Sequence, residues 1–197
     1  VGWVGEDVRY GTTLLQAGGI FRPQDIGVLS SIGYQQIAVI RKPSIHIVIT
    51  GNEILPWGSV PHGFHIADAN GPMLQALVDR DGGRAMQLDY VSDHPDMLLA
   101  ALKESADIIL VSGGSSVGQD DHAPRLLAAH GTLAIHGIAM RPSSPAGMGR
   151  LGEALVFLFP GNPVSSLCAY DFFAGRAIRA LAGRNRGWPY VRKQAKL

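Results

Sequence analysis

Cysteine occurs once, at Cys168. One thiol excludes an internal disulfide framework and suits a reducing compartment. Between Leu167 and Ala169 it reads as a packed core residue. No stretch approaches the roughly 20 consecutive apolar residues that a bilayer span requires, and the start of the sequence has no basic region followed by an apolar core. The expected location is therefore the cytoplasm. Charge of one sign is also missing: seventeen basic against sixteen acidic side chains leave +1, which gives no reason to expect a nucleic acid or a membrane surface as partner. Aromatic residues make up only 7% of the chain, and Trp57 and Trp188 are scattered, so no platform for stacking bases emerges. The seven histidines show no metal-ligand spacing. His62 and His65 belong to a loop, His46 and His136 to strands, and a zinc site is disfavoured.

What the sequence does have is a core and a rhythm. Of its 197 residues 46% are hydrophobic, enough for a well-buried interior. The first part, "GEDVRYGTTLLQAGGIFRPQDIGVLSSIGYQQIAVIRKP", is rich in glycine and turn residues and reads as short strands with a helical turn around Asp25 to Ser31. From Ser44 onward strands and helices alternate. "SIHIVIT", "RAMQLDYV", "DIILVSGG", "TLAIHGIAM" and "ALVFLF" read as strands. "NGPMLQALVDRDGG", with Asn70 as cap and Pro72 in the first turn, reads as a helix. So do "SDHPDMLLAALKESA", "DHAPRLLAAHG" and the long closing "NPVSSLCAYDFFAGRAIRALAG". Such alternation predicts right-handed crossovers and a mostly parallel sheet covered on both faces. The expected architecture is a three-layer α/β domain over residues 44–183, a small β-rich lobe over 1–43, and a basic linker or tail over 184–197. The abrupt opening suggests a piece of a longer protein.

In an open parallel sheet, ligands bind at the carboxyl ends of the strands. Four exits here carry unusual residues: Thr50, Gly51, Asn52 and Glu53; Ser112, Gly113, Gly114, Ser115, Ser116, Gly118, Asp120 and Asp121; Arg141, Pro142, Ser143, Ser144 and Pro145; and Pro160, Gly161, Asn162, Pro163, Val164 and Ser165. A glycine-rich turn entering a helix can present backbone N–H groups to an anion, and Ser115 and Ser116 could add hydroxyls. "PGNPVSS" repeats that arrangement, although Asn162 by itself reads as an ordinary cap. Two such loops could hold two ends of a phosphorylated ligand. The carboxylates Glu53, Asp68, Asp120 and Asp121 lie near these loops. Acids beside phosphate-binding amides suggest Mg²⁺, which takes one or two carboxylates plus phosphate oxygens. Asp68 could equally cap the first α/β helix, and Asp120 or Asp121 the third.

The motifs "TGNEI", "IADANGPML", "SGGSSVGQDDH" and "FPGNPVSS", in this order and spacing, resemble the molybdopterin molybdotransferase family, the MoeA proteins and the gephyrin E domain. The upstream "GEDVRYGTTLLQAGGIFRPQDIGVLSSIG" is similar to the segment before that family's α/β domain. The resemblance implies insertion of molybdate into the dithiolene of adenylylated molybdopterin with release of AMP, and Mg²⁺ as cofactor. It implies that Glu53, Asp68 and Asp121 are catalytic and that Asp7 and Asp121 bind metal. Ser112 to Gly118 would form the phosphate loop. Arg141, Gly161, Asn162 and Pro163 would join it in binding the pterin and molybdate, and Ser165 would be a molybdate or pterin contact. A homodimer is implied for the full-length protein. One loop departs from the pattern. Where the family typically has a basic "KPGKP", this sequence has "RPSSP": Arg141 keeps one positive charge, while Ser143 and Ser144 replace the glycine and the second lysine. A non-catalytic pterin-binding or scaffold module with the same fold is the competing expectation. A third is the related adenylyltransferase or pyrophosphatase branch, which "SGGSSVG" and "PGNPVSS" resemble less.

Overall fold

The computed structural model describes residues 2–114, 122–191 and 193–194. Strand β1 (Ser44–Thr50) is followed by the short strands β2 (Ile54–Leu55) and β3 (Ile66–Ala67), then helix α2 (Asn70–Asp81), β4 (Arg84–Val91), α3 (Pro95–Leu102) and β5 (Ile108–Ser112). Helix α4 (His122–His130), β6 (Thr132–His136), β7 (Gly147–Leu151) and β8 (Ala154–Phe159) come next. A continuous helical stretch closes the fold: α5 (Pro163–Ala169), a π-helical turn (Tyr170–Ala174) and α6 (Gly175–Leu181). Ahead of all these stands α1 (Pro23–Ser31).

The main sheet runs β4-β1-β5-β8-β7-β6. Strands β4, β1, β5 and β8 are mutually parallel, and β7 lies antiparallel between β8 and β6. β6 therefore points the same way as β8. The unalternating runs "IHIVIT" and "IILVS" are explained by cover on both faces, since nearly every residue of β1 and β5 is buried. Ile45, Ile47, Ile49, Ile108 and Leu110 meet Leu74 and Val78 of α2 and Tyr170 and Ile178 of the closing helix. On the opposite face Val48, Ile109 and Val111 meet Leu98 and Leu102 of α3 and Leu127 of α4. These are the three expected layers.

Two expectations change. The described residues of 2–43 contain α1 and no strand. The small second sheet is the β2–β3 pair, inside the first crossover. A strand requires a partner for its N–H and C=O groups, and glycines at positive φ (Gly5, Gly11, Gly18, Gly33) break the segment repeatedly. The main sheet also gains β7, "GMGRL", which is not among the five segments that read as strands. Its glycines instead let the neighbouring backbone come close: a Cβ on Gly149 would stand 2.0 Å from the Thr132 carbonyl oxygen.

At the amino ends of the strands Asp107 joins β1 to β5. Its carboxylate accepts from Arg41 at 2.6 Å twice, from the Ser44 amide at 2.7 Å and from the Ser44 hydroxyl at 2.8 Å. The Arg41 hydrogen bonds hold this carboxyl well below the usual carboxylate range, against the opposing effect of burial. A depressed folded-state value means stability that is present above about pH 4 and lost as the pH falls below it. Asp107→Asn should therefore cost about 1–2 kcal/mol at pH 7 and flatten the stability loss below about pH 4. Urea unfolding across that range checks both. An unchanged acid slope would show that Asp107 is not the titrating anchor.

Candidate functional site

The exits of β1, β3, β5 and β8 converge on one cleft of about 470 Å³ at the carboxyl edge of the sheet. This is a normal size for a small-molecule site. β1 supplies Thr50, Gly51 and Glu53; the β3–α2 junction supplies Asp68 and Asn70; β5 supplies Ser112, Gly113 and Gly114; and β8 leads to Gly161, Asn162 and Pro163. Glycine is required at Gly113, which has φ +99° and where a Cβ would fall 2.1 Å from the Thr50 carbonyl oxygen. The two glycine turns also approach each other, since a Cβ on Gly161 would be 3.8 Å from the Gly113 Cα.

Asp68 is buried and already well used. Its carboxylate accepts from the Asn70 amide at 2.8 Å, from the Gly71 amide at 3.0 Å and from the Tyr90 hydroxyl at 3.0 Å. It therefore holds the first-turn amides of α2, the capping alternative that the sequence left open for Asp68, whereas Asn70, also expected as a cap, is the first residue of the helix. Tyr90 in turn accepts from the Trp57 amide at 3.1 Å, and burial pushes its phenol above the ordinary value, which keeps it a donor. This chain ties the loop after β2 to the cleft floor. Asn70 does something else: its amide nitrogen donates to the Ser112 hydroxyl and to the Gly161 carbonyl, each at 2.8 Å.

Sequence reasoning assigned no site role to Asn70 or to Asp93, which also lines the cleft. Asp93 accepts from the Thr50 hydroxyl at 2.5 Å and its amide donates to Asn52 at 3.2 Å. "DANGP" did carry a signal, but it was the signal of a cap. "SDHP" carried none.

Of the amides expected to meet an anion, two are turned inward. The Gly113 N–H donates to the Phe159 carbonyl at 3.2 Å, and the Ser165 N–H donates to the Asn162 side chain at 3.1 Å. Asn162 is thus the cap of α5. Ser115, Ser116, Gly118, Asp120 and Asp121 lie outside the described residues. Arg141 and Ser165 are not among the residues that line the cleft. Their loops are joined by the Ser143 hydroxyl, which donates to the Ser165 carbonyl at 2.5 Å. Arg141 is exposed and forms no ion pair among the described residues.

Of the two acids expected to bind magnesium, Asp121 lies outside the described residues. Among them no group of three or more His, Cys, Asp or Glu side chains could hold a metal. Asp7 is exposed on a turn and does not line the cleft.

With this geometry in place, the likeness to known proteins is informative. Residues 46–180 match the family model described as "Probable molybdopterin binding domain". The molybdopterin molybdenumtransferase of Staphylococcus aureus (strain COL) is 29% identical over 193 residues, which is 96% of this chain and 46% of that protein. The molybdopterin molybdenumtransferase of Bacillus subtilis (strain 168) is 31% identical over 179 residues, 89% of this chain and 42% of that protein. Among solved structures, the molybdopterin biosynthesis MoeA protein from Pyrococcus horikosii superposes with a TM-score of 0.81 at 28% identity, over 90% of this chain and 45% of that one. The chain thus spans about half the length of these relatives. No helix among the described residues is long and apolar enough to cross a membrane.

Proposed function

The chain belongs to the probable molybdopterin binding domain family, and on that premise we propose that it serves molybdenum cofactor biosynthesis by inserting molybdate into adenylylated molybdopterin. In that reaction the two dithiolene sulfurs bond to molybdenum while one molybdate oxygen leaves as water with the two thiol protons, and a water cleaves the phosphoanhydride, so that AMP departs from the molybdopterin phosphate. The observation that carries the reading is the convergence of "TGNEI", "DANGP", "SGG" and "PGNP" on one cleft at the carboxyl edge of the sheet. Glu53, Asp68 and Asp93 would orient the ligand's polar groups along the walls. Arg141, exposed beside the start of α5, would supply positive charge to the molybdate dianion. The cytoplasm and a homodimer of the full-length protein complete the proposal.

The second reading, a pterin-binding or scaffold module without turnover, is favoured by one observation. Ser143 fastens the "RPSSP" loop to α5, at the place where the resembling family has a glycine. Supplying molybdate and adenylylated molybdopterin and following AMP release separates the two. Molybdate-dependent AMP release above that of a heat-inactivated control is expected. Tight pterin binding with no AMP release would establish the module instead.

A further inference from the structure

The Asn70 side chain is the joint of the cleft. It is 7% exposed and belongs to the first turn of α2, yet its carboxamide points at two other strand exits. Because the Gly161 carbonyl can only accept, the group 2.8 Å from it must be the amide nitrogen, and that nitrogen also reaches the Ser112 hydroxyl at 2.8 Å. One –NH₂ therefore uses both of its protons to fasten the turn after β5 to the turn after β8. The carboxamide oxygen on the other side is buried and has no hydrogen-bond partner among the described residues. Buried acceptors of this kind are uncommon and call for an explanation. A residue needed only for folding would be expected to satisfy both ends of its amide. The two turns it joins are those whose glycines approach most closely, with Gly113 also set against the Thr50 carbonyl.

We propose that Asn70 is the positioning residue of this cleft, fixing the offset between the β5 and β8 turns so that a ligand with a phosphate at one end and a heterocycle at the other is held at both ends together. The inference rests on the reading of the cleft as a site for an adenylylated ligand. When two ends of a ligand bind at subsites of fixed separation, the second contact is effectively intramolecular, and its gain is lost when the geometry slips. Loss of the joint should then weaken a two-ended ligand far more than either of its halves. A local contact or a general loss of stability would not give that pattern.

The probes are AMP, adenosine and inorganic phosphate, titrated calorimetrically into the chain, Asn70→Ala and Ser112→Ala. AMP affinity should fall at least about tenfold in Asn70→Ala, while adenosine and phosphate each change by less than about threefold. Ser112→Ala keeps the Gly161 bond and should lose a smaller share in the same pattern. Thermal melts identify folded variants, and if Asn70→Ala does not fold, Ser112→Ala decides. Equal losses for AMP and its halves, or an unchanged AMP affinity in a folded variant, would overturn the positioning role and leave the functional reading standing. Failure of the unsubstituted chain to bind AMP at all would overturn the reading of the cleft, and the inference with it.

Discussion

Asp81→Ala should lower the unfolding free energy by about 3–5 kcal/mol, the largest effect expected of any single substitution outside the apolar core. Asp81 is 1% exposed at the carboxyl end of α2, far along the helix from the cleft. It accepts from Arg179 of α6 at 2.7 Å and from Arg80 at 2.8 Å. Arg80 has a second carboxylate in Asp171, at 2.7 Å, and also donates to the Tyr190 hydroxyl at 2.7 Å. Among the described residues Arg179 has no second carboxylate: it is 5% exposed, and its Nε and Nη2 have no partner. Removing Asp81 leaves a buried guanidinium without its counter-charge, whereas Arg80 keeps one. Urea unfolding of Asp81→Ala measures the loss, and Asp81→Leu combined with Arg179→Met should recover much of it, because a buried pair replaced by apolar groups costs far less than a broken pair. A loss below about 1 kcal/mol in the single variant would mean that solvent reaches Arg179 and that this cluster does not fasten α6 to α2.

How far the sequence could be read depends on which physical signal each segment carries. The central strands β1, β5 and β8 are apolar on both faces and could hardly be anything else, and Gly82 after α2 does adopt the left-handed φ of +89° that a helix end asks for. Gathering of the motifs at one cleft followed from the parallel order of those strands, which places their carboxyl ends together. Residue-level roles were less legible. Gly147 and Gly149 give β7 no strand signal, because a glycine that makes room for a neighbouring backbone looks, in one dimension, like a glycine that makes a turn. Asn70 was taken for a cap because its partners, Ser112 and Gly161, are 42 and 91 residues away. Asp68, two residues earlier and legible as a cap, holds the first-turn amides instead. No local pattern encodes such pairings.

The loop that departs from the resembling family leads to the last expectation. Ser143 has a φ of +103°, in the region where glycine is at ease and a residue with a Cβ is strained. The glycine of the family's loop therefore has a backbone reason, and this chain holds a serine in the same conformation. What helps to keep it there is burial, at 3% exposure, and the hydrogen bond from its hydroxyl to the Ser165 carbonyl. Ser143→Gly would relieve the strain and give up a bond worth about 1 kcal/mol, so the folded state should barely change in stability. Ser144 is exposed, and a lysine there can extend into solvent without disturbing the core. Together, Ser143→Gly and Ser144→Lys should free the loop from α5 and add a second cation beside Arg141. If this loop receives molybdate, the dianion should bind at least roughly tenfold more tightly in the double variant, a gain of about 1.4 kcal/mol. Ser144→Lys alone should give only part of it, because the loop remains fastened. Arg141→Ala should then cost more affinity in the double variant than in the parent, since two cations on one oxyanion act together. Equilibrium dialysis with molybdate measures all of these. An unchanged affinity in a folded double variant would remove the loop from the oxyanion site, and a pterin-binding module without turnover would become the better account of this chain.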